Sequence, residues 1–136
     1  MRDFTLQTYS RLLLALQKAG YQFYTLEHYY QHLANGSGQT RFVLLRHDVD
    51  LHAERSLATA RIEAELGIRA SYYFRVVPQS NQPAIIKAIA DLGHEIGYHY
   101  EDMAICGGDL VKAKLHFETQ LAYFRQFYPV KTICMH

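Results

Sequence analysis

"VLLRHDVDLH" (residues 43–52) decides how this chain is read, because an apolar run closes there on two carboxylates and two imidazoles. "RFVLLRH" (41–47) has the character of a buried strand. Residues 53–66 behind it read as a helix, with Ala58, Ile62 and Leu66 in one row and Gly67 at its end. The same rhythm continues down the chain. "IRASYYFRVV" (68–77) is a second strand, and Pro83 opens a helix with Ile85, Ile89 and Leu92 on one face and Gly93 closing it. "HEIGYHY" (94–100) is a third strand. "GGD" (107–109) leads into a helix carrying Leu110, Phe117, Leu121, Phe124 and Tyr128, which Pro129 stops, and "VKTICMH" (130–136) is a fourth strand. Strands alternating with helices at these lengths imply an α/β fold with parallel pairing and right-handed crossovers.

Upstream, residues 5–19 read as a helix, with Thr5 as N-cap, Leu6, Leu13, Leu14 and Leu16 as its apolar residues, and Gly20 at its end. "YQFYTL" (21–26) reads as a short strand, "LEHYYQHLA" (26–34) as a short helix and "NGSGQT" (35–40) as an exposed loop. Tyr21, Tyr24, Tyr29 and Tyr30 suit packing against the main body better than a sugar-stacking platform. Residues 1–40 are thus an N-terminal helix and strand extension, and 41–136 the main body.

The 136 residues suffice for one domain, and 49% hydrophobic against 20% charged residues is an ordinary globular balance. A formal net charge of +1 gives no electrostatic reason to expect a nucleic-acid partner. No stretch approaches a membrane span. "LLLAL" (12–16) is closely flanked by polar residues and lacks a following cleavage site. Cys106 and Cys134 form no C-x-x-C pair and read as reduced thiols of an intracellular, cytoplasmic protein.

In parallel α/β folds function collects at the carboxyl ends of the strands. Asp48 and Asp50 end the first of the four, Arg75 lies near the end of the second, His99 near the end of the third, and His136 ends the fourth. Four strands fall short of the roughly eight that close a barrel. The expectation is a parallel (β/α) barrel truncated after its fourth core strand, whose open edge invites self-association.

On a strand, residues two apart face one side. Asp48 and Asp50 would repel there, and a divalent cation would relieve the repulsion. The equal alternative has one aspartate capping the helix near Ala53 while the other is solvated. In "GHEIGYHYED" (93–102), His94 and His99 are five apart and face opposite sides of a strand. His99, nearer the rim, is the better ligand, and His94 suits a structural hydrogen-bonding role.

"VLLRHDVD" with "GHEIGYHYE", in this strand–helix context, resembles the polysaccharide deacetylase family (NodB homology, carbohydrate esterase 4), in a divergent branch associated with surface polysaccharides. The resemblance covers residues 41–103 well, "ICMH" loosely, and residues 1–40 hardly at all. It implies a distorted (β/α) barrel that removes acetyl groups from N-acetylated sugars with a divalent metal, most often zinc. Asp48 then matches the general base and Asp50 the metal-binding aspartate. His99 matches the first histidine of the family's second motif, while Met103 stands where its second histidine would be and Tyr100 where Ser or Thr is usual. A thioether is a poor zinc ligand. His136 is the first choice for the missing ligand, Glu101 the second and His94 the third. The family's transition-state Arg and acid His belong to later motifs, with no counterpart here. Arg46 and His47 are placed to orient the base or the acetyl group, or simply to pack.

The leading expectation is therefore the N-terminal half of a metal-dependent carbohydrate N-deacetylase acting on an N-acetylated saccharide, with Asp48 catalytic and Asp50, His99 and His136 on the metal. One alternative is a non-catalytic deacetylase-like protein that binds a saccharide or serves assembly. Another is a metal-dependent phosphoesterase on a barrel.

Overall fold

The computed structural model describes residues 4–36 and 41–136. Helix α1 (Leu6–Lys18) starts where Thr5 Oγ1 accepts the backbone N–H of Thr8. It stops before Gly20, at a φ of 81° that suits a residue without Cβ. Strand β1 (Gln22–Tyr24) follows, then α2 (Leu26–Ala34), capped in the same way by Thr25 on His28. Of the loop expected over 35–40, positions 37–40 lie outside the described residues.

The run read as one strand over 41–47 is two. β2 (Phe42–Leu44) pairs in parallel with β1, whereas β3 (Arg46–Val49) pairs in parallel with β4 (Ser71–Phe74). Leu45 lies at the change of partner, its carbonyl accepting from Ser71 N at 2.9 Å. Apolar continuity marks a buried run but does not say which neighbour each half pairs with.

After β3 come α3 (Ala53–Glu65), β4, α4 (Pro83–Asp91), β5 (Glu95–Tyr100), a short α5 (Asp102–Ile105), α6 (Leu110–Phe124) and β6 (Ile133–Met135). The sheet order is β3-β4-β5-β6, all parallel and in chain order. Winding always in one direction puts the crossover helices on one face and leaves the other face free. The result is a mixed α/β chain with a curled sheet of half-barrel form. β3 and β6 are its edge strands among the described residues.

Alternation along the strands divides the two faces. Tyr72, Phe74, Ile96 and Tyr98 join Ala60, Ile86, Ile89 and Phe124 in the core between sheet and helices. The inner face is polar, with Arg46, Asp48, Ser71, Tyr73, Glu95, His99, Thr132 and Cys134 in the alternate register and Gly97 among them. A methyl group at Gly97 would overlap the Tyr73 ring, which lies against that glycine.

Two helix faces are rotated from expectation. α4 buries Ile86 and Ile89 while Ile85 is half-buried and Leu92 exposed, and α6 buries Phe124 but leaves Leu110 72% exposed in its first turn. The four-residue α5 was not anticipated, being too short to show a period. It carries Met103, which is 48% exposed. No helix of the described residues is long and apolar enough to cross a membrane.

Candidate metal centre

Asp48 lies inside β3, and Asp50 follows immediately after the strand. The chain turns between them, Asp50 N–H bonding Asp48 O at 3.2 Å. His52 then takes a left-handed conformation (φ 55°) as the first α3 boundary residue, without any side-chain cap to the helix. The helix-cap reading of the aspartates is thereby removed: neither caps α3. His52 is the one non-glycine residue with positive φ among those described, and it sits directly after the site.

Asp48 turns to Arg46, two residues back on the same face. The guanidinium holds both carboxylate oxygens, Nε to Oδ1 at 2.8 Å and a terminal nitrogen to Oδ2 at 2.6 Å. That fork is the main reason the Asp48 carboxyl is held below its usual range, against the opposing effect of partial burial. Asp50 has no such partner. Its Oδ1 is buried and makes no hydrogen bond among the described residues. It lies 3.6 Å from His99 Nε2 and 3.4 Å from His136 Nε2.

His99, 3% exposed on β5, sits opposite Cys134 in the parallel register. Its Nδ1 is 3.1 Å from the Cys134 carbonyl oxygen. A carbonyl only accepts, so Nδ1 carries a proton, and Nε2 is the nitrogen left to face the carboxylates. Nε2 faces two carboxylates, at 3.6 Å from Asp50 and 4.0 Å from Asp48. Positive charge at that point, as a divalent ion would supply, offsets the two anions. His136 continues the pairing of β6, its N–H bonding Tyr100 O at 2.9 Å, and its Nδ1 lies 3.8 Å from Glu101. Glu101 is forked by Arg75, with the second contact at 2.9 Å, and this guanidinium is the leading cause that lowers its pKa. Glu101 therefore stands behind His136, where an ion-binding imidazole commonly finds a carboxylate.

Ligand atoms about 2.1 Å from an ion in tetrahedral array lie about 3.4 Å from one another. The two Asp50 separations match that edge length. Asp50, His99 and His136 offer atoms all within 4.8 Å of one another, and so do Asp48, His99 and Cys134. The residues present thus fit a divalent ion held by nitrogen and oxygen.

The remaining candidates lie elsewhere. His94 is fully buried below the rim, taking Ala70 N–H on Nδ1 at 3.1 Å and donating from Nε2 to Ala60 O at 2.9 Å. Burial holds its pKa down. His47 faces the helices rather than Asp48, stacked 4.4 Å from Tyr72 with Nε2 2.6 Å from Glu63. Of Arg46 and His47, only Arg46 hydrogen-bonds Asp48. Sequence reading missed Glu63, which is fully buried and bonded also by Tyr72 (2.6 Å) and Tyr9. Burial alone would raise its pKa, and the bonds from His47, Tyr72 and Tyr9 outweigh that and lower it. Its signal was present: Glu63 shares the buried face of α3 with Ala53 and Ala60.

Cys106 and Cys134 are both free thiols. Compared with known families, curated proteins and solved structures, the chain matches none.

Proposed function

We propose that this chain carries the metal site and general base of a carbohydrate N-deacetylase, hydrolysing the N-acetyl amide of a sugar. The observation that carries the reading is Asp50 Oδ1, buried without a hydrogen bond and facing two imidazole nitrogens at 3.6 and 3.4 Å. The amide-hydrolysis chemistry rests on the resemblance of "VLLRHDVD" and "GHEIGYHYE" to the polysaccharide deacetylases. Zinc is the ion this reading favours, since imidazole and carboxylate suit it.

Asp50, His99 and His136 would hold the ion. When bound, it supplies Lewis-acid activation of a water and of the amide carbonyl. Asp48 takes the proton of the attacking water on an oxygen lone pair that Arg46 leaves open. Arg46 lowers the basicity of Asp48 but fixes its position, and position dominates when a proton moves over hydrogen-bond distance. Arg75 holds Glu101, and Glu101 steadies His136. The outer edges of β3 and β6, unpaired among the described residues, support self-association of the half-barrel.

The test is to load the protein with zinc and offer an N-acetylated oligosaccharide and a phosphomonoester. The reading expects acetate release, abolished in Asp48→Asn with zinc retained. Phosphate release instead would favour the phosphoesterase, and a protein that takes up no zinc would favour the non-catalytic reading.

A further inference from the structure

His99 belongs to two sets of ligand atoms. One is Asp50, His99 and His136, and the other is Asp48, His99 and Cys134. Cys134 sits directly across the sheet register from His99 and two residues inward of His136. Its set lies on the inner face, and Cys134 also lines, with Arg46, Tyr73 and Thr132, a cavity that includes neither Asp48 nor His99. The thiol has only a weak contact of 3.4 Å to the carbonyl of the adjacent Met135. The cysteine does not stand alone: His99 is 3% exposed, and its Nε2, which makes no hydrogen bond among the described residues, lies between Asp50 Oδ1 at 3.6 Å and Asp48 Oδ2 at 4.0 Å.

The two sets differ in chemistry. The outer offers one oxygen and two nitrogens, the inner one oxygen, one nitrogen and one sulfur. A thiolate selects soft and borderline ions and is poor for magnesium or calcium. The inner set is also looser than the tetrahedral edge of about 3.4 Å at its Asp48–His99 side, and the Arg46 charge on Asp48 opposes a cation there. A hard ion gains nothing by moving inward. An ion softer than zinc, such as cadmium, gains a sulfur bond strong enough to offset the closure and the Arg46 charge, with the Cys134 proton released to solvent.

We propose that Asp48, His99 and Cys134 form an inner position selective for divalent ions softer than zinc, cadmium among them, with zinc itself remaining in the outer position. It excludes an ion from the outer position because both draw on His99, and it takes Asp48 out of service as a base. This regulation of the site rests on the reading of Asp48 as base and of the outer set as the working one. The existence of the inner position does not rest on it.

Cadmium is the probe, added to the metal-free full chain while the ultraviolet charge-transfer absorption of a cadmium–thiolate bond is recorded. The expected result is one cadmium per chain with a thiolate band that survives in Cys106→Ser and in His136→Ala. Cys134→Ser should lose the band and bind cadmium at least tenfold more weakly. In the unsubstituted chain, cadmium should slow alkylation of Cys134 at least tenfold, a readout that needs no variant. A band that persists in Cys134→Ser, two ions bound at once, or Cys134 alkylated equally fast with and without cadmium would each overturn the proposal. Failure of the deacetylase reading shows separately, as a zinc-loaded chain that binds cadmium through Cys134 but releases no acetate.

Discussion

Asp50 Oδ1 and His136 Nε2 stand 3.4 Å apart, one just past the end of β3 and the other just past the end of β6, on opposite edges of a four-stranded sheet. Only a curled sheet brings its edge strands to one point in this way. The pair spans the mouth of the half-barrel, with His99 between them. Removing His136 should lower zinc affinity by more than tenfold, since loss of a direct ligand exceeds the low end of the about 10–100-fold seen for outer partners. Competition against a chromophoric chelator measures this for His136→Ala. Unchanged affinity would take His136 out of the site and turn attention to Glu101.

The buried His94 and Glu63 set the response to acid. Both have pKa values held below their ordinary 6.5 and 4.5. For each, the unfolded chain binds the proton first as pH falls, so stability is present above the ordinary value and is lost as pH drops through the folded one. Thermal melts should therefore be flat above about pH 6.5 and decline below it, steepening below about pH 4.5. His94→Gln should flatten the upper part of that decline. A wild-type melting temperature that stays constant down to pH 4.5 would contradict the role given to His94.

Much of the architecture was legible, for identifiable reasons. Thr5, Gly67, Pro83, Gly93 and Asp109 bracket their helices because caps and turns act locally. The convergence of Asp50, His99 and His136 followed from placing each at a strand's carboxyl end. What escaped needed a partner far along the chain. Leu45 marks a change of neighbouring strand, and Glu63 is buried only because Tyr9, His47 and Tyr72 meet it. Cys134 was noted for the pairing it lacks, whereas its place beside Asp48 depends on the register of β6 against β5.

Gly97 is where the inner face has no room. Gly97→Ala should push the Tyr73 ring away and break its 2.7 Å bond to Thr132. The expected cost is about 1–3 kcal/mol of stability, as for other insertions into packed interiors. Urea denaturation of the variant measures it, and a change under about 0.5 kcal/mol would mean the ring is free to move.

His52 holds a left-handed backbone and makes one exposed contact, 3.3 Å to Glu54. His52→Gly should relieve the strain and leave stability unchanged or raised by about 0.5–1 kcal/mol, because the ion pair it gives up is worth little. A clear loss of stability in the same denaturation assay would show that the imidazole contributes a contact beyond Glu54.

The central claim is that one ion is held by Asp50, His99 and His136. X-ray absorption at the zinc edge, recorded on the zinc-loaded chain beside Asp50→Asn, tests it most directly. The account predicts one zinc with two imidazole nitrogens and a carboxylate oxygen at about 2.0–2.2 Å, weakened or lost in the variant. A zinc shell containing sulfur, a shell with fewer than two imidazoles, or a spectrum unchanged by Asp50→Asn would contradict it.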